Sequence, residues 1–451
     1  MSIYSILKIM KTLEEYGIKV PQILLPKNID LSSWSVIACD QYTQDLDYWK
    51  RAEENVGSSP STLKLILPEV YLNSLDKQER IQKIRQTMKD YLESDVFDKP
   101  RNCFIYIERK TEFGRMRKGL VAQIDLETYE WKPFSNANIR ATEATIVERI
   151  PPRMEIRRGA ALELPHIMLL VNDKEKLLVE GSSLVAKKNE PLYDGKLMNN
   201  GGYITGWALS SKEEIDVVTK AVNQIAQKNA SSDGSTFLFA VGDGNHSLAT
   251  AKAVWDEYKA TLKENGASEK ELLENPVRYA LVEIVNIYDE GLTFEPIHRV
   301  IFDIDSQKLI TFLCEKLEGE ATQVNSKEEL EKLVKCSSAD FGFSFVKDGE
   351  QKYVHLKTSI KELAVARLQP VIDEFLRLEE NQKAEIDYIH GTQEVLELGT
   401  KNNATGILLP PIAKDSFFET INGRGPLPRK SFSMGEADEK RFYLECRQLF
   451  C

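Results

Sequence analysis

The chain has 451 residues, of which 42% are hydrophobic and 29% charged, with a formal net charge of −11; that is more than one core usually organises, so more than one domain is expected. The acidic balance argues against nonspecific nucleic-acid binding, which needs a basic face, and no apolar run reaches the roughly 18 residues of a membrane span. Met1–Lys8 lacks the apolar core and cleavage site of a secretory signal, and the cysteines at 39, 103, 314, 336, 446 and 451 form no C-x-x-C pair, so reduced thiols and a cytoplasmic setting are expected.

In chain order, Ile6, Leu7, Met10 and Leu13 fall at helical spacing and predict an amphipathic helix over 6–16. Trp34–Ala38 reads as a short strand leading into Cys39-Asp40-Gln41-Tyr42, and 75–92 as a charged amphipathic helix. Residues 103–109 and 119–126 read as strands joined by the basic Arg115-Met116-Arg117-Lys118. Arg140, Arg149, Arg153, Arg157 and Arg158 mark 140–160, for which a solvated helix with ion pairs is expected. The Gly- and Asn-rich stretch 191–207 reads as a loop or boundary. It divides the chain into an expected N-terminal α/β domain at 1–205 and a C-terminal α/β domain at 206–451.

Ser211-Lys212-Glu213-Glu214 is a capping box opening a helix to about 227. Phe237–Val241 then reads as a buried strand, Gly242–Ser247 as a turn, and the following stretch to about 265 as a helix. The last third mixes helices with strands at 278–287, 293–301, 341–346, 353–356 and 406–409, and a second capping box stands at Ser326–Glu329. Such interleaving predicts a mixed α/β (α+β) fold, with mixed sheets flanked by helices.

Four polar clusters could carry chemistry. The first is Gly242-Asp243-Gly244-Asn245-His246-Ser247. A strand that breaks into a helix presents free N–H groups and the positive end of the helix dipole, which together suit an anion. Asp243 reads as a base or metal ligand and His246 as a phosphate donor, while Ser247 serves either as a phosphate ligand or simply as the helix N-cap. The turn matches neither the Walker loop nor the dinucleotide fingerprint. The second cluster ends in His298-Arg299; strand alternation puts these on opposite faces, and Arg299 is the better phosphate clamp. In the third, Arg140–Thr145, Glu143 reads either as a base or as an acidic residue in a helix first turn capped by Thr142. The fourth, Pro426–Gly435, holds Arg429 and Lys430 beside two serines and reads as a phosphate loop or a solvated tail.

With these clusters together, the chain resembles domain-of-unknown-function family 1015, a group of uncharacterised bacterial and archaeal proteins. Elements at Ala38–Thr43, Arg140–Thr145, Asp243–Ser247, Gly291–Arg299 and Pro428–Ser431 recur in the family's order. The short turn also resembles the phosphate-binding turn of ParB/sulfiredoxin-fold enzymes that phosphorylate free serine, which implies a core of that kind. The chain departs from the family pattern at Ser247, where the family has Arg, at Asn245, where it has His, and before Glu143, where its His is missing. Lys252, Arg299 or Lys430 are the candidates to replace the lost Arg.

The expected activity is that of a nucleotide- or phosphate-dependent small-molecule enzyme, with phosphotransfer to an amino-acid hydroxyl as the leading version. Asp243, His246 and Glu143 are the catalytic candidates. Gly242, Gly244, Asn245, Ser247, Arg299, Arg429 and Lys430 are the phosphate-binding ones. ATP or ADP with Mg2+ is the expected cofactor set, without an assigned metal ligand set. A small-molecule ligand is the expected partner, with neither nucleic acid nor membrane. A non-catalytic binding or assembly protein and a metal-dependent phosphoesterase remain the alternatives.

Overall fold

Runs such as Phe104–Ile107, Met168–Val171 and Ala280–Val282 carry no polar residue to face water, and all are buried in a ten-stranded mixed sheet. The computed structural model describes residues 10–231 and 234–450. Its large sheet is built from β1 (Ile18–Lys19), β2 (Phe104–Lys110), β3 (Met116–Asp125), β4 (Tyr129–Glu130), β5 (Ile139–Ala141), β6 (Met168–Val171), β7 (Tyr193–Lys196), β8 (Tyr203–Leu209), β9 (Phe239–Asp243) and β10 (Tyr279–Asn286). The order is β7-β8-β2-β3-β10-β6-β9-β5-β4, with β1 alongside β3. β9 lies parallel to β5 and antiparallel to β6.

Leu169, Val171, Phe239 and Val241 share a core with α1 (Lys77–Glu93), α2 (Ile150–Arg157), α3 (Lys212–Lys228) and α4 (Asn245–Glu264). Their alternate neighbours Met168, Leu170 and Ala240 belong to a second core, as the two-residue period of a strand requires. That second core is shared with an antiparallel six-stranded sheet. After β11 (Phe294–Pro296), its strands are β12 (His298–Phe302), β13 (Glu320–Val324), β14 (Phe341–Lys347), β15 (Glu350–Lys357), β16 (Glu385–Ile389) and β17 (Ala404–Leu408), in the order β13-β15-β14-β17-β12-β16. β18 (Phe432–Met434) pairs with β11. The fold is thus mixed α/β, and no helix among the described residues is long and apolar enough to cross a membrane.

Several local expectations change. The helix expected over 6–16 begins outside the described residues, and within them Glu14–Tyr16 makes one 3-10 turn before β1. Trp34 ends a short helix, Leu31–Trp34, capped by Asp30, instead of starting a strand; Ile37 makes only an isolated bridge to Phe442. Residues 140–160 are split between the end of β5 and the helix α2. The stretch 191–207, expected as a loop or boundary, forms a hairpin of β7 and β8. Its turn needs glycine, because Gly202 sits at φ +89 where a Cβ would stand 2.1 Å from the Lys110 carbonyl oxygen. The division expected at 205/206 runs through β8, and strands from both sides of it share the large sheet.

The C-terminal segment is tied across this sheet by buried charges. Arg109 donates to the carbonyls of Gly201 and Lys440, the latter at 2.5 Å. Arg117 donates to the Glu439 carbonyl at 2.5 Å. Arg441 stands 3.0 Å from Glu283 and 2.5 Å from Glu445. Removing one partner of such a network leaves an uncompensated buried charge. The network fixes the backbone at Lys440 through its carbonyl.

Candidate functional site

β9 runs through Gly242 to Asp243 and α4 begins at Asn245, so the turn expected over 242–247 is reduced to Gly244 alone. Gly244 takes φ +81, with the Ile167 Cα 3.2 Å from where a Cβ would stand. The start of α4 has no side-chain cap, so the first N–H groups of Asn245, His246 and Ser247 have no partner within the helix. These residues border a cleft of about 1580 Å³ between the two sheets.

The side chains of the turn have distinct surroundings. Asp243 Oδ1 accepts from the Gly244 N–H at 3.0 Å, and its Oδ2 lies 3.5 Å from Lys440 Nζ. Asn245 is tied to the end of β5: its Oδ1 accepts from the Thr142 N–H at 3.1 Å, and its Nδ2 donates to Thr142 Oγ1 at 3.1 Å. Thr142 therefore braces the turn and caps no helix. His246 Nε2 accepts from the Ile146 N–H at 3.2 Å, so the ring proton belongs on Nδ1. Burial, reinforced by Arg149 and Arg153, pushes the His246 pKa down to about 4. It offers a neutral N–H, not a positive charge. Ser247 is the third helical residue; the N-cap is Gly244. Its Oγ is 2.7 Å from His166 Nε2, a hydroxyl directed at a neighbour and not at the helix start.

Glu143 follows β5 and meets the C-terminal loop. Its Oε1 accepts from the Ser431 N–H at 3.1 Å. Burial raises its carboxyl above the ordinary range, against the pull of that N–H and of Lys430. Lys430 itself sits at φ +58. Phe432–Met434, just after it, is strand β18, so this segment is packed and not a loose tail. Arg429 is exposed and lies 5.9 Å from the Tyr388 ring centroid.

All the catalytic and phosphate-binding candidates line this one cleft except Arg299. Arg299 is fully buried, donates to Gln369 Oε1 at 3.0 Å and to the Ile297 carbonyl, and lies 5.2 Å from the Tyr388 centroid. Alternation along β12 turns the neighbouring His298 to the cleft instead, where its Nδ1 accepts from the Leu409 N–H at 3.1 Å. Burial and Arg299 push the His298 pKa down to about 4. Lys252 is no substitute either: it pairs with Asp256 at 2.8 Å on the flank of α4, outside the cleft lining. Lys440, Arg149 and His166 escaped the sequence reading. Lys440 stands far from the turn in sequence, Arg149 belongs to an arginine run whose pattern fits a solvated helix, and His166 precedes an apolar strand with no motif around it. Among the described residues, no group of three or more His, Cys, Asp or Glu side chains is placed to hold a metal. Mg2+ commonly uses one or two carboxylates together with substrate phosphates, a demand that Asp243 can meet in part.

The family described as "Protein of unknown function (DUF1015)" matches residues 23–377. No curated protein matches the chain. Among solved structures, the chain is similar to a conserved hypothetical protein from Pyrococcus furiosus at 12% identity and TM-score 0.34, covering 70% of this chain and 90% of the other. A free serine kinase in complex with AMP is similar at 12% identity and TM-score 0.35, covering 70% and 88%. SbnI with a C-terminal truncation from Staphylococcus aureus follows at 8% identity and TM-score 0.32, covering 70% and 82%.

Proposed function

This chain belongs to the DUF1015 family of proteins of unknown function, and from that premise we propose that its cleft binds a nucleotide or similar phosphorylated small molecule and transfers a phosphoryl group to a hydroxyl, with an amino acid as acceptor. One observation carries the reading: the uncapped start of α4 opens on the same cleft as Arg429, Lys430 and Glu143. Free N–H groups at a helix start cradle phosphate oxygens. Arg429 supplies a planar fork for them and Lys430 a point charge. His246 contributes its Nδ1–H as a neutral donor. Glu143, its carboxyl raised by burial, suits proton removal from the acceptor hydroxyl. Asp243 would hold Mg2+ with phosphate oxygens and waters, and the ion when bound would neutralise phosphate charge. Lys440 orients that carboxylate.

A second reading, binding without turnover, rests on a specific observation: the side chains of Asn245 and Ser247 are already engaged by Thr142 and His166. Both readings are tested by thermal shift with ATP, ADP and phosphoserine in the presence of Mg2+, followed by a transfer assay with ATP and free serine. A ligand at 100 times its Kd should add about 2.7 kcal/mol of stability. Glu143→Gln should keep binding and abolish transfer. Binding with no transfer in the wild type would decide for the second reading, and no shift with any of the three ligands would end both.

A further inference from the structure

We propose that Ser247 and His166 form a nucleophile–base pair that cleaves short-chain acyl esters at the wall between the large cleft and a smaller pocket. Ser247 and His166 both line this second cavity, of about 140 Å³, whose other walls include Leu65, Leu67, Met88 and Ile156. Ser247 lines the large polar cleft as well. A substrate held there would place its acyl chain among apolar side chains, its leaving group in the polar cleft, and its carbonyl at the Ser247 hydroxyl.

The hydrogen bonds fit the roles. Ser247 Oγ lies 2.7 Å from His166 Nε2, and His166 Nδ1 lies 3.1 Å from the Tyr443 hydroxyl. The same phenol oxygen accepts from the Cys39 N–H at 3.2 Å. With the Tyr443 oxygen as acceptor for Nδ1–H, the lone pair of His166 is on Nε2, facing Ser247. Nucleophile, base and a third group that orients the base are the constellation of covalent acyl transfer. Tyr443 is the positioning residue, held in turn by its own N–H, which donates to the Val36 carbonyl, and by the Cys39 N–H on its hydroxyl. Nothing in the phosphoryl-transfer reading uses this chain of contacts.

The step balances without a further reactant. Ser247 Oγ bonds to the carbonyl carbon as its proton passes to His166 Nε2, and the orphan N–H groups of the α4 first turn face the developing oxyanion. The bond to the leaving oxygen breaks, and that oxygen takes the proton from Nε2. Water then bonds to the acyl carbon and gives its proton to Nε2. The acyl–Oγ bond breaks, and Oγ takes the proton back. An ester and water become an acid and an alcohol.

The test uses the full chain with p-nitrophenyl butyrate, and separately a fluorophosphonate probe followed by peptide mass spectrometry. The wild type should release p-nitrophenolate above buffer and carry the probe on Ser247. Ser247→Ala and His166→Gln should each lose at least about a hundredfold of the rate while keeping the wild-type circular dichroism. Activity should fall from butyrate to dodecanoate esters, because the pocket is small. An unlabelled Ser247, or hydrolysis unchanged in Ser247→Ala, would overturn the proposal. So would a preference for the long chain. Neither assay contains a nucleotide, so the outcome is separate from that of the phosphoryl-transfer reading.

Discussion

The ends of β9 and β12 both carry clustered polar residues, and the fold treats them in opposite ways. At the end of β9, the turn at Gly244 brings Asp243, His246 and Ser247 to one cleft within a few positions. At the start of β12, the chain is already extended, so His298 and Arg299 are sent to opposite faces and only the histidine borders the cleft. A turn gathers neighbouring side chains; a strand separates them. The residue chosen from chemistry alone, Arg299, is the one whose place in the strand commits it to the interior.

The largest test of this contrast is Arg299→Ala. It removes a fully buried side chain and the partner of Gln369, and should cost about 4 kcal/mol in urea unfolding. Affinity for ADP should change by less than about twofold; a tenfold loss of affinity at unchanged stability would mean that both strand ends serve the ligand.

Acid titration comes next. His246 and His298, one at each strand end, are held at a pKa of about 4 against an ordinary 6.5. The unfolded chain takes up protons as pH falls through 6.5, whereas the folded chain does so only near 4. Stability is therefore complete above 6.5 and declines toward pH 4, by about 3 kcal/mol for the buried His298 and by less for the half-buried His246, whose charge water screens. His298→Gln should remove a larger share than His246→Gln of the slope measured by denaturant unfolding across that range. Equal shares would show that the two strand ends are equally dry.

Asn245→Ala should cost about 2 kcal/mol by the same measurement, because the Thr142 N–H loses its acceptor. The smallest stability effect belongs to Lys430→Ala: a change within about 0.5 kcal/mol for an exposed side chain, together with about tenfold weaker ADP binding by calorimetry. A Lys430 variant that destabilises the chain without touching affinity would recast the loop as a structural clasp.

Much of the local architecture was legible in the chain itself. The apolar runs of β2, β3, β9 and β10 and the Ser211–Glu214 capping box each depend on neighbours a few residues away, and each was readable for that reason. The strand–turn–helix at Gly242–Ser247 was readable because glycines and polar residues in one turn have few other uses. The Gly- and Asn-rich 191–207 stretch looks like a loop because a hairpin and a loop use the same turn residues, and only pairing between β7 and β8 separates them. What tertiary structure alone decided was the company each group keeps. Lys440 beside Asp243, His166 beside Ser247 and Ser431 against Glu143 join residues 81 to 288 positions apart. Such contacts are set by how the two sheets and the C-terminal segment pack. Spacing along a chain encodes the period of a helix or strand, but it does not encode which distant surfaces close on one another.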